Sequence, residues 1–414
     1  MNKLDELIQQ LCPNGVPYRR LGDIATICRG GSFQKKDFTE SGVPCIHYGQ
    51  IYTRYGLFVN ETITYIGEET AQKQKFAEPN DVVMAVTSEN IEDVCKCVAW
   101  LGDGKVAVSG HAAIIHHSMN PKYLVYWLHS SSFYQQKAKI ANGTKVIEVA
   151  PAKLSDVVLP VPPLEVQREV ARILDTFTKL TAELTAELTA RKQQYAYYRN
   201  KLLTFNIPGG TSRTTWRKFG ETCFLQAGKA INAENISKEK TPEYCIPCYG
   251  GNGLRGYVRE ANQQGDKPLI GRQGALCGNV CFAKGDYYAT EHAVVVTDQG
   301  FYNSRFLYHL LVNKNLNQYK TSGAQPGLSV AKLETILLPV PEIEIQKRIA
   351  DVLDNFDAIC SDLNIGLPAE IEARKKQYEF YRDQLLTFAA QDEIVLTDRQ
   401  TDRQTDRQTD RQTD

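Results

Sequence analysis

The sequence carries no net charge: its 48 lysines and arginines are matched by 48 aspartates and glutamates over 414 residues. That balance argues against a protein that coats polyanions indiscriminately, because such binding needs an excess of positive charge. It leaves room for a DNA binder with one positive face that shares phosphate contacts with partners. No run approaches the ~20 apolar residues needed to cross a bilayer. Met1 to Leu11 lacks the apolar centre of a secretory leader, so a cytoplasmic protein is expected. A G-x-x-x-x-G-K-[ST] phosphate loop is missing, since Gly228-Lys229 has neither the upstream glycine nor the hydroxyl residue. The one Pro-Pro pair, in Val161-Pro162-Pro163-Leu164, lacks the leading amide and the aromatic of an N/D-P-P-Y/F amine-methylating segment. The chain thus offers no catalytic set of its own.

What is present is enough for folded cores: 42% hydrophobic and 23% charged residues, in a length that suits two or three domains. Eleven cysteines are spread along the chain, and without a leader they are expected to be reduced. Cys245 and Cys248, with Cys277 and Cys281, are potential zinc donors. Both pairs lie in short strand-like stretches, where residues three apart face opposite ways. Buried thiols and no metal are therefore expected.

The most informative feature is an internal repeat. Residues 159–177 read LPVPPLEVQREVARILDTF and residues 338–356 read LPVPEIEIQKRIADVLDNF. ARKQQYAYYRNKLLTF ends at Phe205, and ARKKQYEFYRDQLLTF ends at Phe388. Weaker echoes join Tyr18–Asp23 to Trp216–Glu221, and Ser109-Gly110-His111-Ala112 to Thr290-Glu291-His292-Ala293. The order is a globular region, a helical segment, a different globular region, and a similar helical segment. Prolines open each helical segment, where they suit a helix start and not its interior. In the first, Phe177, Leu184, Leu188, Tyr195, Tyr198, Leu202 and Phe205 fall on one heptad stripe, the mark of a coiled-coil seam. The matching seam in the second is Phe356, Leu363, Tyr378, Tyr381 and Leu385. About forty residues make a rod of about 60 Å. Neither seam is buried alone, so the two are expected to pack on each other, antiparallel if a pseudo-twofold relates the halves. Tyr197 stays open between packing and docking. The first segment contains Leu180-Thr-Ala-Glu-Leu184-Thr-Ala-Glu-Leu188 and reads as continuous. The second has Asn364-Ile365-Gly366-Leu367-Pro368 there, which predicts a joint.

The globular regions, about 16–158 and 213–337, show short β-rich runs such as Val82–Val86 and Ala293–Val296 between glycine turns. Short helices at Lys122–His129 and Ser304–Val312 interrupt them. The expected fold is α+β: two globular α/β domains joined by two long helices in an antiparallel coiled coil. The expected divisions are 1–160, 161–207, 208–338 and 339–390, with a tail at 391–414. For nucleic-acid readout the useful residues are Arg, Lys, Asn and Gln near aromatics on turns. These are Gln50, Arg54, Tyr55, Lys73 and Lys75 in the first region, and Asn252, Arg255, Arg272 and Gln273 in the second. Each is alternatively a solvated surface group or a phosphate contact. Gly250-Gly251-Asn252-Gly253 is either a tight turn or a phosphate cradle. His111 and His292, matched in position, read as structural histidines.

The P-x-P-x-x-E-x-Q helix start (Pro160 to Gln167, Pro339 to Gln346), the R-K-x-Q-Y-x-x-Y-R-x-x-L-L-T-F ending and the L-T-A-E-L spacer resemble the specificity subunits of type I restriction-modification systems. The resemblance is greatest to the subclass with tandem T-A-E-L units. Leu11–Val16, Tyr249–Tyr257 and Gly271–Ala275 are similar to that family's domain motifs; the first region has Ala85-Val86-Thr87-Ser88 in place of the R-x-G pattern. The resemblance implies two target recognition domains, each reading half of a split double-stranded DNA site. It also implies two methyltransferase subunits docked on the helices and restriction subunits joining that core. S-adenosylmethionine, ATP and Mg would belong to those partners, with no cofactor here. One T-A-E-L unit adds about 6 Å and about 40° to a helix, against about 3.4 Å and roughly 35° per base pair of DNA. A two-headed adaptor for proteins is the competing reading, and a self-contained nuclease or methyltransferase is disfavoured by the missing motifs. From Thr397 the T-D-R-Q repeat has no apolar residue and is expected to be disordered. ACAGACAGACAG encodes Thr-Asp-Arg-Gln and repeats a tetranucleotide, which suggests a slippage-prone tract and phase variation.

Overall fold

The computed structural model describes residues 3–205, 214–274, 276–321, 326–361 and 366–390. The chain divides into two compact units, Met1–Glu183 with Glu372–Asp414, and Leu184–Ile371. Leu363 of the expected seam and the T-D-R-Q tail lie outside the described residues.

The first unit runs α1 (Lys3–Leu11), β1 (Tyr18–Arg20), β2 (Ala25–Arg29), β3 (Val43–Ile46), β4 (Phe58–Val59), β5 (Val82–Ala85), β6 (Thr87–Ser88) and β7 (Cys97–Trp100). It continues through β8 (Val106–Val108), β9 (Ala112–His117), α2 (Pro121–Leu128), β10 (Ile147–Glu148) and β11 (Val158–Pro160). One five-stranded sheet has the order β2-β9-β5-β7-β4, and β3 pairs in parallel with β8 in another. All four residues of β5 are buried. Val82 and Met84 face one core and Val83 and Ala85 another, which is why this strand reads as an unbroken apolar run. Asn120 accepts from the Tyr123 N–H and Pro121 occupies the first turn, so α2 starts where the sequence supplies both cap and proline.

α3 (Leu164–Leu203) is a single helix of 40 residues with no glycine or proline to interrupt it. Its first part belongs to the first unit and its last part to the second. In the first unit Val166, Val170 and Leu174 are fully buried with Leu4 of α1 and Leu386. Further along, Phe177 stacks on Tyr381 at 5.4 Å. This contact packs α3 against α6 (Leu367–Leu385) within the first unit.

The second unit repeats the plan: β12 (Thr215–Lys218), β13 (Cys223–Ala227), β14 (Ile246–Gly250), β15 (Gly253–Val258), β16 (Lys267–Gly271), β17 (Val280–Ala283), β18 (Asp286–Ala289) and β19 (Ala293–Asp298). α4 (Ser304–Asn313), β20 (Leu337–Val340) and α5 (Ile343–Ser361) follow. Its main sheet, β13-β19-β16-β17, has the order of β2-β9-β5-β7, and β14 pairs in parallel with β18 as β3 does with β8. Phe356 of α5 stacks on Tyr195 and Tyr198 of α3, at 6.3 and 5.8 Å. α5 ends at Ser361 and α6 starts at Leu367, where the Gly366 and Pro368 signals predict a break.

Each unit locks its sheet region to helix in the same way. Gln167 and Gln346, both buried, accept from the N–H of Asn120 and Asn303 and donate to the carbonyls of Pro162 and Pro341. About two turns further, Asp175 takes the Lys122 ammonium at 2.5 Å and the Tyr126 hydroxyl at 2.7 Å. Asp354 takes Arg305 and His309 instead. The repeated Q and D of the sequence are thus side chains that cap, brace and orient α2 and α4.

Candidate nucleic-acid interface

The second unit carries an open polar cleft of about 760 Å³ lined by Asn252, Leu254, Arg255, Gln273, His292 and Gly327, among others. Its floor is made by backbone passing close over backbone. A Cβ on Gly271 would lie 1.9 Å from the Gly251 carbonyl oxygen, so that position requires glycine. Gly250 pairs with Gly253, and Gly253 adopts φ +94°. The glycine cluster is a tight hairpin turn between β14 and β15, with Asn252 exposed at its tip. Arg272 donates its N–H to the His292 carbonyl at 2.9 Å and accepts from the Leu328 N–H at 2.9 Å; Gln273 bridges to Gly327. The Gly271-Arg-Gln segment is therefore held between the His292 turn and the Gly327 loop. Asn252, Arg255 and Gln273 are exposed in the cleft. Arg272 is half-buried, and its Nε has no partner. His292 contacts Glu291 through Nε2 at 3.1 Å, while its Nδ1 and the Glu291 Oε2 are buried without partners. The cleft presents guanidinium and amide groups, which suit base edges and phosphates.

The first unit has the same backbone frame with different contents. Val86 donates to His111 and accepts from Val149, as Arg272 does with His292 and Leu328. Ser109 donates to Ile46 as Thr290 does to Tyr249. These bonds align Tyr48 with Gly251, Thr87 with Gln273, and Glu148 with Gly327. Where the second unit is open, the first is filled. The Tyr48 ring lies 4.9 Å from His111, and Thr87 Oγ1 is 3.2 Å from His111 Nδ1. Burial, with Coulombic repulsion from the Lys35 ammonium as a smaller cause, pushes the neighbouring His47 below the usual histidine range.

Of the residues singled out from sequence in the first region, Gln50 and Tyr55 are engaged within the fold. Gln50 is buried; its amide donates to Thr64 and its oxygen accepts from the His47 N–H, so it caps a short helix. The Tyr55 hydroxyl accepts from the Ile63 N–H. Arg54, Lys73 and Lys75 are exposed. Sequence reading took His111 as structural and did not single out Tyr48 or Thr87, which the structure places beside it. The match of Ser109–Ala112 to Thr290–Ala293 marks this place in both halves. On the helices, Leu184, Leu188, Leu202 and Leu385 are half-buried, and Tyr378 packs 6.3 Å from Tyr126. Tyr198 and Tyr381 stack yet keep 37% and 38% exposure; Tyr197 is 60% exposed. Among the described residues no group of three or more potential ligands is placed to hold a metal ion. Cys248 and Cys277 are buried, but Cys245, expected to be buried, is exposed at the edge of β14 and Cys281 is half-buried; Cys277 lies in a turn and not on a strand.

Two sheet-bearing units of one plan, sharing a long helix and carrying unlike polar surfaces at equivalent places, define a two-headed recognition protein. The family described as the type I restriction modification DNA specificity domain matches residues 13–191 and 214–373, and the chain belongs to that family. The EcoprrI type I restriction enzyme specificity subunit of Escherichia coli is 36% identical over 339 residues, covering 80% of this chain and 84% of that protein. A putative type I specificity subunit of Mycoplasma pneumoniae, S.MpnORF89P, is 30% identical over 307 residues, covering 69% and 88%. The fold is shared with the S subunit from M. genitalium, at a TM-score of 0.54 and 16% identity over 90% of this chain and 96% of that one. A chain from a type I R-M system gives 0.62, also at 16% identity, over 90% and 97%. Among the described residues no helix is long and apolar enough to cross a membrane.

Proposed function

We propose that this chain is the DNA specificity subunit of a type I restriction-modification complex and reads an asymmetric, two-part site in double-stranded DNA. The observation that carries this reading is the pair of equivalent surfaces with unlike chemistry, one open and glycine-floored, the other filled by Tyr48, Thr87 and His111. Equal frames with unequal contents suit two half-sites of different sequence. The target recognition domains are residues 1–160 and 208–338, and the helical spans 161–207 and 339–390 are the spacer and docking elements. Two methyltransferase subunits dock on these helices and restriction subunits join them, in the cytoplasm. The chain itself is non-catalytic; S-adenosylmethionine, ATP and Mg serve the partners. Adjacent genes for those partners, and loss of one bipartite methylation motif when this gene is deleted, are the expected results. Binding to proteins with no DNA preference would favour the adaptor reading.

A further inference from the structure

Arg29 on β2 and Glu148 on β10 form an ion pair with side chains 46% and 45% exposed. At that exposure such a pair adds little to the fold. Both residues sit on ordered strands: Arg29 lies opposite Ala113 of β9, and Glu148 opposite Thr87 of β6. Glu148 also exchanges two backbone hydrogen bonds with Asn142. Thr87 in turn touches His111, so the pair borders the surface equivalent to the second unit's cleft. The equivalent positions there are Ala227, opposite Val294, and Gly327. The second unit therefore has neither charge at this place.

A guanidinium beside a carboxylate presents donors next to an acceptor, with a fixed order. The major-groove edge of a G·C pair presents the reverse: guanine O6 and N7 accept, and the cytosine N4 amine donates. An A·T pair places one acceptor on each side of the adenine amine, N7 and thymine O4, so neither base offers the two adjacent acceptors that a bidentate guanidinium takes on guanine. We propose that Arg29 and Glu148 together read one G·C pair in the half-site bound by the first unit, Arg29 donating to guanine and Glu148 accepting from cytosine. This rests on the DNA-specificity reading above and names one base pair within it.

The test uses the chain assembled with its methyltransferase partners and a pool of duplex oligonucleotides randomised over the target, with the bound fraction sequenced. Wild type should select a two-part site with a G·C pair at one position of one half. Arg29→Ala should lower discrimination at that position alone by about tenfold to a hundredfold. Glu148→Gln should move the preference there towards adenine, which a Gln amide pairs with bidentately. Both should leave the other half unchanged. Lys73→Ala with Lys75→Ala should weaken all sequences equally. If both pair variants keep the wild-type motif, or weaken every sequence alike, the G·C assignment is overturned while the DNA reading stands. If wild type selects no two-part site, the DNA reading itself falls.

Discussion

Asp354→Ala should loosen the second unit by about 3 kcal/mol. The carboxylate receives Arg305 Nε at 2.9 and 3.0 Å and Nη2 at 2.5 Å, and His309 Nε2 at 2.6 Å. Hydrogen bonds to a charged group contribute about 1.5–3 kcal/mol each, and an orphaned buried donor costs about 1–3 kcal/mol. The His309 side chain is fully buried, so its N–H would be such an orphan. Asp354 and Arg305 keep 34% and 26% exposure, which lets water replace part of the loss and holds the sum near the lower end. Hydrogen exchange read by mass spectrometry resolves the effect by segment and avoids assuming two-state unfolding of a two-unit chain. About 3 kcal/mol predicts roughly a hundredfold faster exchange or more in α4 and in α5. The pH dependence follows from the same atoms. Burial opposes the charge on Asp354, but the bonds from Arg305 and His309 together hold its carboxyl below the ordinary range. Burial pushes His309 below its ordinary value against the pull of Asp354. At neutral pH, then, a neutral His309 donates to an ionised Asp354. As pH falls below about 6.5 the unfolded histidine takes up its proton first, and stability declines. The carboxylate contribution, fully present above about pH 4, disappears as pH falls through the depressed Asp354 value. Without Asp354 the decline below about pH 6.5 should steepen, because nothing offsets the burial of a charged His309. Unchanged protection in α4, or an acid limb no steeper than wild type, would refute this account of the lock.

Other perturbations report on separate parts of the structure. Gly271→Ala puts a Cβ 1.9 Å from the Gly251 oxygen; it should cost about 1–3 kcal/mol through overpacking and weaken only the half-site read by the second unit. Normal selection at both halves would contradict the glycine-floored cleft. Gln346→Ala removes partners from the Asn303 N–H and the Pro341 and Phe301 carbonyls. It should lower stability by about 1–3 kcal/mol in thermal melts, and Gln346→Glu should fare no better because a carboxylate cannot donate to those carbonyls. A third T-A-E-L unit in α3 adds about 6 Å and about 40° and should widen the unread gap by about one base pair, seen in the methylation motif; an unchanged gap would refute the spacer role. The gene segment encoding the T-D-R-Q tail should be a run of ACAG units that varies in number between clones, and mixed codons would remove the slippage idea.

Much of the fold was legible because its determinants are local and repeated. Proline clusters mark the helix starts, uninterrupted helix formers extend α3 to 40 residues, and Gly366 with Pro368 marks the break before α6. The apolar run of β5 signalled a strand, and the structure buries it on both faces. The coiled-coil stripe was read correctly in spacing but not in depth. Val166, Val170 and Leu174 are fully buried, because α1 and the sheet region of the first unit cover them. Tyr198 on the first heptad stripe and Tyr381 on the second remain partly open because ring stacking covers only one face of each. The candidate site was half legible. In the second unit the glycines force a cleft, so Asn252, Arg255 and Gln273 fall together as their motifs suggest. In the first unit Gln50 serves a helix cap and the Tyr55 hydroxyl a loop N–H, while Arg54, Lys73 and Lys75 stay exposed. Which side chain a cap consumes depends on contacts such as Gln50 to Thr64, fourteen residues away, and no window of sequence displays those.

The most direct measurement compares the bases selected by the wild-type complex with those selected after exchanging residues 208–338 for the corresponding region of a relative with a different target. One half of the motif should change to the donor's half while the other half and the gap remain as they were. A change in both halves, or in neither, would contradict the claim that each unit reads its own part of the DNA.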